Sequence, residues 1–281
     1  MKLPNLNPYF RFFLPVLIAS CSWSHSAQAA DDAERVRTLL QGVVDYRSSI
    51  PSGSASIFIE REGQATLQWH TWFDGENNFR FDDAVKGKSY LQNREYYFEY
   101  HLNGEVLPTL RPLHHPNNLM LNMRLLGVIG ISTTALPTVE NFQRFEVLGQ
   151  SDHLSVETIE YNDRPVSVVT SDMGGGQIFK IWIDEQRGPS VIRSEIQSQW
   201  KETHILSTMT CDLTDIDGIW YPRIILYWRT IGGFRSSEQK TTLKDVSFNG
   251  KGFSDEIFSL KVPVGCVKSL DRKSTRLNSS H

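Results

Sequence analysis

The sequence predicts an α+β fold in which one large curved antiparallel sheet, an incomplete β-barrel, is covered by helices. Three observations predict it. An amphipathic helical stripe opens the body of the chain, the apolar period changes from helical to two at Ser54, and tight turn sequences then recur at short intervals. Consecutive alternating strands with short links pair antiparallel, and an amphipathic helix has to bury its stripe against a sheet face.

Ahead of that body, Lys2 and Arg11 precede the apolar run Phe12–Cys21 and a polar stretch of small residues ending Ala27-Gln28-Ala29. This is the pattern of a secretory signal with an A-x-A cleavage site, so residues 1–29 are expected to be a signal peptide and the protein to be exported. The run is about half of the ~20 residues that a membrane-spanning helix needs. A competing cleavage reads Ile18-Ala19-Ser20-Cys21 as a lipobox, which makes Cys21 the lipid-anchored first residue. At the other end, residues 271–281 (DRKSTRLNSSH) resemble the translation of a sequencing adapter and are set outside the fold. Residues 30–270 show no internal repeat, linker or compositional break and are expected to form a single domain.

The first element follows from Asp31-Asp32, an N-cap and acidic first turn, and from Val36, Leu39, Leu40, Val43 and Val44, which fall on one helical face. Ser48 to Gly53 ends this helix, because Pro51 pushes the preceding residue out of the α region. Strands follow where Ile57 and Ile59 flank Phe58, where Ala65, Leu67 and Trp69 alternate with polar residues, and where Phe79-Arg80-Phe81 resumes after an Asp74-Gly75 turn. Tyr90 to Leu102 reads as one further strand closed by Asn103-Gly104. Pro116-Asn117-Asn118 then caps a second, short apolar helix with Leu119, Met120, Met123 and Leu126 on one side, ending near Gly127 or Gly130. Strands are expected again at 145–148, 154–161, 165–171, 177–184, 190–200, 203–213, 221–230, 235–248 and 258–262.

Charge and cysteine content exclude some functions. The chain has 281 residues and a net charge of −3. Taking two positive charges away with the signal, and three positive and one negative with the tail, leaves 24 Lys+Arg against 31 Asp+Glu, a net charge of −7. A nucleic-acid partner held by bulk charge is excluded, since phosphate neutralisation needs basic residues in excess. Cys211 and Cys266 remain after Cys21 is lost, and neither belongs to a C-x-x-C pair. Packing or one disulfide is expected of them, with no redox or zinc role.

Catalytic motifs are missing. No H-E-x-x-H, G-x-S-x-G or C-x-x-C occurs. Gly87-Lys88-Ser89 lacks the earlier glycine of a P-loop, Asp82 standing there, and reads as a turn. Asp212, Asp215, Asp217 and Gly218 hint at a calcium loop, but Ile224 stands where the closing Glu belongs, so a turn is expected. Adjacent His114 and His115 point apart on a strand and bring no third ligand. Asp82-Asp83 reads as solvated turn residues. No catalytic residue, metal or cofactor is expected, and the protein is read as a non-enzyme.

What remains is apolar. Residues 30–270 hold 12 Phe, 6 Trp and 8 Tyr, many at alternating strand positions beside the helical segments. These form a core, or else sheet and helices close imperfectly and leave a groove for an apolar ligand, lined by adaptable Met residues. The expected lining is Trp69, Phe73, Phe79, Phe81, Leu119, Met120, Met123 and Leu126.

Several stretches in this order resemble the LolA/LolB-like family, in its divergent branch of outer membrane lipoprotein-sorting proteins. They are Trp72-Phe73-Asp74-Gly75 with Phe79-Arg80-Phe81, Leu121–Gly127 (LNMRLLG), Ile181-Trp182-Ile183-Asp184 with Arg187-Gly188, Asp217 to Pro222 (DGIWYP), and Val246-Ser247-Phe248-Asn249 followed by Phe258-Ser259-Leu260, Pro263 and Gly265. The resemblance implies an incomplete β-barrel closed by helices around a hydrophobic cavity for acyl chains. It further implies a periplasmic carrier whose ligands are lipoprotein acyl chains or lipid, and whose partners are an inner-membrane transporter and an outer-membrane receptor. Two alternatives stay open beside a shuttle: an envelope sensor or interaction domain that reads lipoproteins, and a receptor anchored through Cys21.

Overall fold

The sequence alternation from Ser52 onward is carried into a computed structural model that describes residues 30–75, 78–92, 96–101, 109–112, 123–128, 148, 153–249 and 255–258. Helix α1 spans residues 30–48, so Asp31 and Asp32 lie in its first turn and do not cap it. Thirteen strands follow: β1 (Ser52–Arg61), β2 (Leu67–Asp74), β3 (Asn78–Asp83), β4 (Lys88–Gln92), β5 (Tyr96–His101), β6 (Thr109–Pro112), β7 (His153–Glu160), β8 (Pro165–Asp172), β9 (Ile178–Asp184), β10 (Ser190–Trp200), β11 (Thr203–Ile216), β12 (Ile219–Ile231) and β13 (Phe234–Phe248). A 3-10 turn, Met123–Leu125, separates β6 from β7, and a single helical turn, α2 (Asp255–Phe258), comes last.

All thirteen strands belong to one antiparallel sheet in the order β6-β5-β4-β3-β2-β1-β13-β12-β11-β10-β9-β8-β7. Every strand pairs with its neighbour in sequence except β6 and β7. The first and last strands pair instead, Ile57 opposite Leu243 and Ile59 opposite Thr241. The sheet is therefore a curved, unclosed barrel whose seam falls between β6 and β7, and the Met123–Leu125 turn belongs to the chain that bridges this seam. Register shifts at Ser54/Ser56, Val191/Arg193, Asp212/Leu213 and Arg229/Thr230 supply local bends, since an extra residue in one strand kinks it and increases its twist.

Strand alternation sends one set of side chains to a common core. Ala55, Ile57 and Ile59 of β1 stand beside Trp69 and Phe73 of β2, with Phe79 of β3 next along the face. Met209, Tyr221, Ile225, Tyr227, Leu243 and Phe248 continue it across β11, β12 and β13, and Val169, Ile181, Ile183 and Val191 across β8 to β10. Helix α1 buries Val36, Leu39, Leu40 and Val43 in the same cluster, which is the predicted stripe. Its docking is fixed by polar contacts at both ends. Arg35 Nη2 donates to Thr158 Oγ1 at 3.0 Å, and the Trp220 backbone N–H donates to Tyr46 Oη at 2.7 Å. The helix thus crosses the half of the sheet that runs from β7 to β12.

Several expectations need correction. Tyr90 to Leu102 is not one strand: Gln92 pairs with Tyr97, so the chain reverses between β4 and β5. Strand β6 was not expected. Phe258 ends a helical turn instead of opening a strand. Asp82 and Asp83 end β3 and are not solvated: Asp83 is buried and accepts the Val85 and Lys86 backbone N–H groups, while Asp82 pairs with Arg80 and accepts from Ser89. Cys211 is a free thiol, with Cys266 outside the described residues. The turn expected before Trp220 is present but narrower: Asp212 and Asp215 lie in β11, and only Asp217 and Gly218 turn, both with positive φ, Asp215 Oδ1 accepting the Gly218 N–H at 2.7 Å. The 145–148 strand falls, but for Leu148, outside the described residues. The same holds for His114, His115, Asn103-Gly104, Cys21, the signal segment and residues 271–281.

Candidate ligand-binding site

The site begins with an aromatic face. Trp69 and Phe81 meet edge to face with centroids 5.0 Å apart, and Phe81 continues to Tyr90 at 5.5 Å. Phe73 lies opposite Phe79 in the register of β2 and β3. Beside them Gly53 of β1 carries no Cβ for a physical reason: one built there would stand 2.7 Å from Phe73 Cε1 and 2.8 Å from Phe248 Cδ1. The missing side chain is what lets both rings approach the β1 backbone at this point.

Residues 123–128 are laid over this face. Met123 and Leu126 are buried in the core cluster, and Gly127 takes a φ of 74° to end the turn, as its place in the sequence suggests. Three anchors hold the segment. Tyr221 Oη donates to the Met123 carbonyl. Gly127 sits against Cys211 Sγ and Pro222 with no room for a Cβ. Arg124 reaches back, its Nε donating to Ile50 O at 2.9 Å and its Nη2 to Pro51 O at 3.2 Å and Gly75 O at 2.9 Å, with its guanidinium 4.5 Å from the Phe73 ring centroid. Periodicity placed Arg124 within a greasy helix and gave it no role; its carbonyl partners lie 49 to 74 residues away, so nothing local in the sequence could reveal them.

Of the eight expected lining residues, the structure brings six onto one face or its cover: Trp69, Phe73, Phe79, Met123 and Leu126 within the buried core, and Phe81 packed against it. Leu119 and Met120 lie outside the described residues. Phe73 and Met123 are 1% and 0% exposed, so in this state sheet and cover meet through their own side chains. A cavity of about 300 Å³ opens elsewhere, lined by Thr210, Asp212, Ile224 and Leu226, which alternate with the core-facing residues of β11 and β12, and by Arg164, Asp184 and Arg187. None of the six described lining residues borders it.

Two polar groups stand out because the core gives them nothing. Trp69 Nε1 is buried with no acceptor among the described residues, and so are all three nitrogens of Arg47. An indole N–H or a guanidinium sealed from water without partners is costly, and most such groups in native proteins are paired. Arg47 was missed in the sequence although a signal existed: eleven residues beyond Val36, it continues the buried stripe of α1.

Among the described residues no group of three or more His, Cys, Asp or Glu could hold a metal ion. One constellation mixes nucleophile and base. Ser56 Oγ lies 3.0 Å from His70 Nδ1 and 3.2 Å from Asp245 Oδ2. The carboxylate here is bonded to the serine and not to the imidazole, the reverse of the order in which an acid orients a base toward its nucleophile. No helix among the described residues is long and apolar enough to cross a membrane.

Burial also sets the protonation of the core. It pushes the Cys211 thiol up to about 12, against the pull of the nearby Arg47 guanidinium, and raises the Tyr221 phenol as well. Unfolded thiols begin to ionise near 9.0, so above that pH the unfolded chain holds fewer protons than the folded one, and unfolding free energy falls as pH rises. Stability is expected to be full below pH 9 and to decline toward pH 12. Urea midpoints on either side of this window test it, and Cys211→Ala should flatten part of the decline. A midpoint that is level or rises through that range contradicts the burial of these groups.

No family model and no curated protein matches the sequence. Solved structures do match the fold. A DUF1329 family protein from Desulfovibrio piger ATCC 29098 superposes with a TM-score of 0.51 at 12% identity, covering 81% of this chain and 97% of that one. A candidate outer membrane lipoprotein-sorting protein domain from Vibrio parahaemolyticus gives 0.48 at 12% identity over 80% and 97%. A LolA superfamily protein from Nitrosomonas europaea gives 0.44 at 14% identity over 78% and 97%. At such identities the likeness is one of fold: this chain shares the overall fold of the Desulfovibrio protein.

Proposed function

We propose that this chain is a non-catalytic periplasmic carrier that takes acyl chains of lipoproteins or lipids between the aromatic face of its sheet and the segment laid over it. The observation that carries the reading is the pairing of an open sheet, apolar on its covered side, with a separate segment, residues 123–128, laid over it and held through Tyr221, Gly127 and Arg124. Trp69, Phe73, Phe79, Phe81, Met123 and Leu126 stand where such a chain would lie, with Leu119 and Met120 as the expected continuation. Binding then means replacing contacts between cover and sheet by contacts with hydrocarbon. At about 0.8 kcal/mol per CH₂ buried, a long acyl chain gains on the order of ten kcal/mol, more than a few anchoring hydrogen bonds at about 1 kcal/mol each.

The neighbours' names speak of lipoprotein sorting in the Vibrio domain and of the LolA superfamily in the Nitrosomonas protein. They accord with the reading, as does the export signal expected at residues 1–29. An inner-membrane donor and an outer-membrane acceptor would be its partners.

Native mass spectrometry of the exported protein tests this. The expected spectrum contains a lipid-sized mass increment that vanishes on denaturation, over a polypeptide that begins at Ala30. Protein that emerges lipid-free and gains no increment when incubated with phospholipid vesicles would overturn the carrier. A lipid-modified Cys21 would make it an anchored receptor. A second reading, an interaction domain that reports on lipoproteins, draws on the hairpin tips, where Trp200 and Phe234 are 67% and 81% exposed; it expects no carried lipid.

A further inference from the structure

Arg47 is 1% exposed and sits near the C-terminal end of α1, facing the core. Its Cζ lies 4.7 Å from the Tyr221 ring centroid. That stacking and the negative end of the helix dipole favour a cation there. Neither supplies an acceptor. A guanidinium carries five N–H donors, and Nε, Nη1 and Nη2 are all without a hydrogen-bond partner among the described residues. Burial pulls the group's pKa down, yet guanidinium stays charged at any physiological pH. The fold therefore holds a bare cation in a dry place, which removal of water makes expensive unless an anion answers it.

The position of this cation gives it meaning. Tyr221, beneath the guanidinium, packs edge to face on Phe248 with centroids 4.9 Å apart, and Phe248 shares the surface of Gly53 with Phe73. The Tyr221 hydroxyl donates to the Met123 carbonyl. Arg47 is thus one aromatic ring away from the cover and two away from the aromatic face. Residues 123–128 therefore touch both the ring on which the cation rests, through the Tyr221 hydroxyl, and the apolar face, through Arg124 on Phe73.

We infer that Arg47 is the head-group anchor of the ligand, so that the carried molecule is an amphiphile with one oxyanion, carboxylate or phosphate, seated on the guanidinium while its chain runs along the aromatic face. This rests on the carrier reading and narrows it: a wholly neutral acyl glyceride leaves Arg47 unanswered, whereas a fatty acid or an alkyl phosphate pairs it in a bidentate geometry.

The test compares palmitate, hexadecyl phosphate, methyl palmitate and inorganic phosphate for binding to the delipidated protein, its Arg47→Met variant and its Arg47→Lys variant. A charge-assisted hydrogen bond in a dry site corresponds to about 10- to 100-fold in affinity. Palmitate, hexadecyl phosphate or both should therefore bind the unaltered protein at least ~10-fold tighter than methyl palmitate. Arg47→Met should bring them down to the methyl ester's level and leave the ester itself within ~3-fold. Arg47→Lys should keep part of the preference. The variant should also melt at or above the temperature of the unaltered protein when empty, because Met removes an uncompensated buried charge.

Equal binding of acid and ester, or a preference that survives Arg47→Met, overturns the anchor and leaves the carrier standing. Failure of every sixteen-carbon probe to bind takes the carrier down with it. Binding of inorganic phosphate as tight as that of hexadecyl phosphate overturns the amphiphile. Should Arg47→Met fail to fold, the preference of the unaltered protein and its reduction in Arg47→Lys decide.

Discussion

Replacing Gly188 by alanine is expected to cost about 3 kcal/mol of stability, the sum of backbone strain and overpacking of roughly 1–3 kcal/mol each. Gly188 follows the 3-10 turn Glu185–Arg187 with φ 58° and ψ 133°, a conformation that side chains avoid. A Cβ built there falls 2.3 Å from Tyr46 Cζ and 2.4 Å from its Cε2. The ring cannot swing aside cheaply. Its hydroxyl is bonded to the Trp220 N–H at 2.7 Å, and its helix is locked by the burial of Val36, Leu39, Leu40 and Val43. The clash is therefore passed to α1 as a whole, and the helix must lift from the sheet at its C-terminal end.

Gly63→Ala is the control. Gly63 has φ 70° but nothing within 4 Å of a Cβ, so it bears strain alone, about 1 kcal/mol. Urea unfolding of both variants separates conformation from contact: equal losses at the two glycines refute the packing of Tyr46 on Gly188. Because Arg47 follows Tyr46 directly, a loosened helix end also shifts the stacking of its guanidinium on Tyr221.

The parts of this fold that are legible in the sequence are those governed by period. Val36, Leu39, Leu40 and Val43 carry the helical repeat, and the alternation from Ile57 to Phe81 puts Trp69, Phe73, Phe79 and Phe81 on one face, as their register confirms. The paired turn residues Asn162-Asp163 and Asp217-Gly218 take the positive φ their types permit. What escapes is decided at long range. The reversal between Gln92 and Tyr96 is an exception, since the polar Gln92-Asn93-Arg94-Glu95 breaks the aromatic run at that point and Asn and Glu are poor β formers. Asp83 makes its own bonds locally, accepting the N–H groups two and three residues on at 3.1 and 2.9 Å, and only its burial is set by distant neighbours. The pairing of β1 with β13, which puts the seam at the middle of the chain, leaves no local trace at all.

The candidate site shares this split. Its aromatic half is periodic and readable; its cover is not. Arg124 shows why. In the sequence it lies beside the apolar stripe of Leu119, Met120, Met123 and Leu126, and a charge there argues for exposure. In the structure it is buried because three carbonyls from two distant turns converge on it, those of Ile50 and Pro51 where the chain leaves α1 and that of Gly75 where β2 ends. Chain ends of this kind leave acceptors unsatisfied, and a guanidinium with its fork of donors answers several at once.

Arg124→Met is accordingly expected to be among the most damaging single changes outside the glycines, and in a particular way. Methionine fills the space of the stem but donates nothing. Pro51 O keeps the Gly75 N–H at 2.8 Å, whereas Ile50 O and Gly75 O lose this donor. One buried acceptor left bare at Ile50, a part-buried one at Gly75 that water can answer, and the lost stacking on Phe73 together predict a loss of about 2 kcal/mol. Lysine restores one bond at most, since its point charge cannot span carbonyls that a planar fork reaches together. The loss should be local before it is global. Hydrogen exchange is expected to quicken at residues 123–128 and at the Gly75 amide while β9, β10 and β11 keep their protection, since the sheet between them contains none of the Arg124 partners. Met123, sealed in the unaltered protein, should become open to peroxide oxidation in the variant. If exchange quickens uniformly, or Met123 stays protected, Arg124 is a general stabiliser and the segment it holds is not a separable cover, which removes the moving part on which acyl-chain entry depends.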